Sequence, residues 1–172
     1  MKKALIIVDM QNDFLDGSLG NKDCLKIVPN CCRFIKKFKG DLFVTKDTHF
    51  NDYLKTKEGK KLPIIHCIRG TKGHDLNAEI LESLKKKKFR IFEKYTFGSI
   101  ELGKALAKEK YDEIILIGVC TDICVISNAL LIKSFSPNST IKIISSCCAG
   151  TSKKAHLNAL KACEMCHIEI VS

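Results

Sequence analysis

Cys124 is the side chain with the clearest chemistry in this sequence. It closes the stretch Ile114-Ile115-Leu116-Ile117-Gly118-Val119-Cys120-Thr121-Asp122-Ile123-Cys124, an apolar, β-branched run that ends at Gly118 and gives way to capping residues. Thr121 or Asp122 offers a side-chain oxygen to cap a helix, which puts Cys124 in a first turn where unpaired N–H groups and the macrodipole favour a thiolate. A cysteine held that way is a candidate nucleophile; the competing reading is a small buried hydrophobe. A second group is Asp47 and His49, two residues apart at the end of another apolar run, with His66 downstream. Residues i and i+2 of an extended chain share a face, so two imidazoles and a carboxylate could hold Zn²⁺ or another divalent ion with positions left open. Against that stands the ordinary use of strand-end Asp and His to satisfy loop backbone. Asp9 and Lys94 also follow short strand-like runs; alone, each reads equally well as a loop-initiating or solvated terminus.

The elements that would position these groups alternate along the chain. Strands are expected at Ala4–Val8, Leu42–Thr45, Phe89–Phe92, Ile114–Ile117, Ile141–Ile144 and Ile168–Val171. Helices are expected from Pro29 to about Phe38, from a cap at Asp75 to about Lys86, and from Ser99 to about Lys110. Two more run from Asp122 to about Ser134 and from Ser152 to about Cys166, with Ser145–Thr151 read as a loop. Cys31, Cys32, Phe34, Ile35 and Phe38 recur at helical spacing as a buried stripe. Six strands alternating with helices give an α/β class. The sheet is parallel with helices on both faces, a Rossmann-like three-layer α/β/α domain spanning 1–172 in the order 3-2-1-4-5-6. That order brings Asp9, Lys94 and Cys124 to one sheet edge, the edge where such folds bind ligands. No Gly-x-Gly-x-x-Gly follows the first strand, which argues against dinucleotide binding. A Cys–His pair is the competing nucleophile arrangement, but none of the five histidines is as well situated to meet Cys124.

Bulk properties narrow the function class. The formal charge of +10 is densest at Lys85–Lys88, yet the chain has no Trp and few Arg, and its lysines scatter over helix ends and loops. A solvated basic surface accounts for this better than a nucleic-acid site. No apolar run reaches the length of a membrane span and no signal peptide precedes the first strand, so a cytoplasmic protein without a membrane partner is expected. Ten cysteines embedded in strand and helix patterns read as free thiols in a reducing compartment.

Three segments carry a resemblance to a known family. Gly118-Val119-Cys120-Thr121-Asp122-Ile123-Cys124-Val125, Val8-Asp9-Met10-Gln11-Asn12-Asp13-Phe14 and Lys94-x-Thr96-Phe97-Gly98-Ser99 resemble the motifs of the isochorismatase-like cysteine hydrolases, on the nicotinamidase-like branch. The resemblance implies a triad of Asp9 as base, Lys94 as its cationic partner and Cys124 as nucleophile. It also implies an oxyanion hole from the backbone N–H groups of Cys120 and Cys124, with a cis peptide at Val119–Cys120. Phe14, Phe97 and Tyr95 would wall the substrate. Asp47, His49 and His66, with Glu58 as a further acidic ligand, would hold a divalent metal, Zn²⁺ first and Mn²⁺ or Fe²⁺ as alternatives, with no organic cofactor. The implied reaction is hydrolysis of a small amide, nicotinamide foremost, by a protein that often forms homo-oligomers. A carbamoyl or ureido amidase, or an inactive ligand-binding relative, are the alternatives. The sequence departs from the family at Cys120, where alanine is usual, and at Thr48, where tryptophan is frequent.

Overall fold

The runs at 4–8 and 114–119 contain no charged side chain and are rich in Ile and Val, which suits strands buried on both faces. In the computed structural model, which describes residues 1–172, they lie side by side as β1 (Lys3–Val8) and β4 (Glu113–Val119). The remaining strands are β2 (Asp41–Asp47), β3 (Phe89–Lys94), β5 (Thr140–Ala149) and β6 (Glu169–Val171). All pairs are parallel and the order is β3-β2-β1-β4-β5-β6, as the alternation of elements implied. The helices are α1 (Asn12–Leu15), α2 (Lys22–Lys26), α3 (Val28–Lys37), α4 (Lys57–Lys61), α5 (Ala78–Leu84), α6 (Ile100–Glu109), α7 (Ile126–Phe135) and α8 (Lys153–Met165).

Strand alternation sorts the core into two layers. Leu5 and Ile7 of β1 pack with Cys31 and Ile35 of α3 and Ile80 and Leu84 of α5. Ala4, Ile6 and Val8 face the other way, onto Leu102 and Leu106 of α6, Ala129 and Ile132 of α7 and Leu160 of α8. All ten cysteines are free and nine are buried, Cys31 and Cys32 among them. No helix is long and apolar enough to cross a membrane.

Several boundaries differ from expectation for local reasons. Asn77, not Asp75, caps α5: its Oδ1 accepts from Glu79 N at 3.0 Å, while Leu76 pairs with Gln11 in an isolated bridge. β5 runs on through Ser145–Ala149 instead of ending at Ile144, because Cys148 and Ala149 pair with Gly118 and Val119 past a register shift. The short helices α1, α2 and α4 have too few residues to show a period, and the sequence did not reveal them.

Candidate active site

Lys94 ends the outermost strand β3, and its almost wholly buried side chain reaches across the sheet's carboxyl edge past β2 to the residue that follows β1. Its Nζ lies 2.7 Å from Asp9 Oδ2, 3.0 Å from Asp47 Oδ1 and 3.5 Å from Cys124 Sγ, and donates to Thr96 O at 3.2 Å. Asp9 follows β1 with a left-handed φ of 47°, a conformation Asp tolerates better than most residues. Thr45 of β2 holds it there: Thr45 Oγ1 donates to Asp9 Oδ1 at 2.6 Å, and Asp9 N donates back to Thr45 O at 3.2 Å. Asp9 Oδ2 is buried and, apart from the nearby ammonium, has no aligned hydrogen-bond donor.

The segment carrying Cys124 is built differently from expectation. The peptide Val119–Cys120 is cis, as the resemblance implied. The next residues, Thr121–Val125, form a π turn that leads into α7, and neither Thr121 nor Asp122 caps it. Thr121 Oγ1 instead meets His156 Nδ1 at 2.8 Å, and Asp122 accepts from Thr151 N at 2.8 Å and Thr151 Oγ1 at 2.5 Å. Nor is Cys124 poised as a thiolate: burial pushes its thiol well above the ordinary range, and the Asp9 charge adds to this against the pull of Lys94. Burial also raises Asp9 despite Lys94. Lys94 goes up because Asp9, Cys124 and Asp47 together outweigh the burial that would lower it. The Lys94 ammonium group is thus held between Asp9 and Asp47, beside a thiol whose ionisation burial opposes. The Cys120 N–H, also at the turn, donates to no acceptor in the protein.

A cavity of about 330 Å³ opens onto Cys124, in the range of small-ligand sites. Phe14, Phe97, Ile123 and Leu62 give it apolar walls, and Asp47, His66 and Glu58 lie at its polar end. The Phe14 and His66 rings meet in a T-shaped arrangement with centroids 5.7 Å apart. Tyr95 does not reach the cavity: it is 60% exposed and stacks on Phe50, at 5.9 Å between centroids, because the chain turns outward after Lys94. Thr48 also stays out of the cavity, with Oγ1 2.9 Å from His74 Nε2.

The ligating atoms of Asp47, His49 and His66 lie within 4.8 Å of one another. His66 Nδ1 meets Ile64 O at 2.8 Å, which as a donated bond leaves Nε2 as the free lone pair. His49 Nε2 is buried without a hydrogen-bond partner, although Asp47 Oδ2 is 3.0 Å away, as expected of an atom built to take a cation. Glu58 Oε1 stands 3.7 Å from that nitrogen, at the edge of the set. Burial alone would raise Asp47, but His49, His66 and Lys94 hold its carboxyl well below the usual range. One carboxylate and two imidazoles, with Asp47 and His66 lining the cavity and His49 behind them, fit a divalent metal.

Two supporting residues escaped the sequence reading. Gln11 clamps the Asp47 backbone from both sides, donating to Asp47 O at 2.9 Å and accepting from Asp47 N at 2.7 Å. Thr45 holds Asp9, and its position two residues before Asp47 on the same strand face was the signal that could have exposed it.

The chain as a whole is similar to known proteins. A family profile described as the isochorismatase domain matches residues 3–172. The nicotinamidase of Schizosaccharomyces pombe is 28% identical over 98% of this chain and 92% of that protein. The pyrazinamidase/nicotinamidase of Streptococcus mutans UA159 superposes with a TM-score of 0.88 at 26% identity, covering 99% of this chain and 100% of that one. The pyrazinamidase of Pyrococcus horikoshii, solved in complex with zinc, gives a TM-score of 0.82 at 25% identity, covering 100% and 99%.

Proposed function

Because the chain belongs to the isochorismatase family, we propose that it is a cysteine amidohydrolase that converts nicotinamide and water to nicotinate and ammonia. The observation that carries this reading is the buried contact of Lys94 with both Asp9 and Cys124 at the floor of an aromatic-walled cavity. Asp9 is the base: its unsatisfied Oδ2 takes the thiol proton as the sulfur attacks the carboxamide carbon. Negative charge then moves from carboxylate to sulfur beside the same ammonium, so Lys94 stabilises both states without moving. The N–H groups of Cys120 and Cys124 receive the oxyanion. Asp9 returns its proton to the departing nitrogen, ammonia leaves and a thioester remains. Water gives a proton to Asp9 and adds to the acyl carbon; the sulfur departs and takes that proton back from Asp9, and the product leaves as the acid, which gives its own proton to solvent to become nicotinate.

Phe14 and Phe97 flank the pyridine ring, and the partner is a small neutral amide. Asp47, His49 and His66 would hold the metal, with Zn²⁺ suiting their donor types and Glu58 standing beside them. When bound, the ion offers a Lewis-acid site for the pyridine nitrogen that orients the ring.

Ammonia release from nicotinamide tests the reading. Cys124→Ala should fall to background while Cys32→Ala, in the core behind the sheet, stays near the parent rate; equal loss in both would overturn it. Elemental analysis should find about one divalent ion per chain, lost in His49→Ala. Full activity in metal-free protein would remove the metal from the proposal.

A further inference from the structure

Asp13 is an acid of the first motif that neither the triad nor the ligand set uses, and it does not line the cavity. It lies in α1, one residue before Phe14. Its Oδ2 accepts from Cys67 N at 2.7 Å, and its Oδ1 accepts from Ser18 N at 3.3 Å. Cys67 directly follows His66 and has a left-handed φ of 47°, which cysteine rarely adopts. The Cys67 carbonyl in turn accepts from His49 N at 2.9 Å. One residue therefore links the Asp13 carboxylate to the backbone of both imidazoles.

The space around that carboxylate is a second, independent observation. Asp13 N donates to Gly73 O at 3.0 Å, and a Cβ on Gly73 would overlap Asp13 Cγ and both carboxylate oxygens. Gly17 closes the other side, where a Cβ would lie 2.5 Å from Oδ1. The carboxylate fills the room that two missing side chains leave, which aims Oδ2 at the Cys67 N–H.

We propose that Asp13 is a positioning residue for the metal site, holding His66, and through the Cys67 carbonyl His49, at the spacing a divalent ion needs. The proposal rests on the metal reading given above. The His66 ring is already fixed by its Nδ1 contact with Ile64 O at 2.8 Å, so the freedom left to this ligand is in its backbone. Without Asp13 the Cys67 N–H loses its acceptor, and Cys67 leaves the left-handed region at no further cost, turning His66 with it. Groups that orient a ligand are worth about 10- to 100-fold in metal affinity.

The test measures Zn²⁺ affinity of the full chain by competition with a chromophoric chelator, alongside thermal unfolding of the metal-free protein. Asp13→Ala should bind Zn²⁺ about 10- to 100-fold more weakly than the parent. Gly73→Ala keeps the Asp13 charge but pushes the carboxylate off the Cys67 N–H, and should weaken binding about 10-fold. Its metal-free Tm should stay near the parent value, because the group that gives way is the end of a side chain. In the Asp13→Ala background, Gly73→Ala should change nothing further, since the atoms it displaces are gone. Gly73→Ala also decides the matter if Asp13→Ala fails to fold. Parental affinity in both single variants, or losses that add in the double variant, overturns the proposal. So does a loss of affinity in Gly73→Ala matched by a collapse of its metal-free Tm, which would assign Asp13 to folding alone. A parent chain that binds no Zn²⁺ overturns the metal reading and this proposal with it, whereas equal tight binding in parent and variants overturns this proposal alone.

Discussion

At the scale of single residues, the site works by leaving one buried oxygen unsatisfied while fixing its neighbour. Asp9 Oδ1 is held by the Thr45 hydroxyl at 2.6 Å, and Oδ2 is left with only the ammonium of Lys94 at 2.7 Å. A carboxylate with both oxygens fully bonded would be a poor proton acceptor, and one with neither would swing. Thr45→Val keeps the volume but removes the donor, so Asp9 loses its orientation while the cavity lining is unchanged. The expected outcome is a fall in kcat of about 10- to 100-fold with KM near the parent value, and recovery in Thr45→Ser. A rise in KM with kcat unchanged would show that Thr45 acts on substrate binding and not on the base.

At the scale of elements, the catalytic turn depends on how closely β4 approaches β1. Gly118 has a φ of +119°, and a Cβ there would lie 2.1 Å from the carbonyl oxygen of Val8. Only glycine lets the strand leave the sheet here, beside the residue that precedes Asp9, so one contact sets the spacing of base and nucleophile. Gly118→Ala combines a disfavoured backbone with a backbone clash and should cost about 4 kcal/mol or more. In a domain of this size that is a fall in Tm of about 8 °C or more, read by thermal unfolding. A stable variant with parental Tm would mean that the strands can separate without loss.

At the scale of the whole molecule, the features visible in the sequence were those with a period or a fixed order. The central strands and the 3-2-1-4-5-6 order follow from apolar runs alternating with helices, and that order puts Asp9, Lys94 and Cys124 at one sheet edge; their pairing as a triad came from the motif resemblance. Hidden features were those decided by contacts between distant segments: the π turn at Thr121–Val125, the Gln11 clamp on Asp47, and the outward stacking of Tyr95 on Phe50. Net charge is a property of this largest scale, and it separates the hydrolase from a nucleic-acid-binding protein. The chain carries +10, but the proposed substrate is neutral and meets a cavity walled mainly by apolar side chains. A long-range field exerts no net pull on a neutral amide, so raising NaCl from about 50 to about 500 mM should change kcat/KM for nicotinamide less than twofold. Nicotinate leaves as an anion and does feel that field, so its inhibition of the reaction should weaken over the same range. Nucleic-acid binding through the lysines would instead lose orders of magnitude in affinity as salt rises. Steep loss of kcat/KM with salt would therefore show that the basic surface takes part in substrate capture, which a small uncharged amide gives no reason to expect.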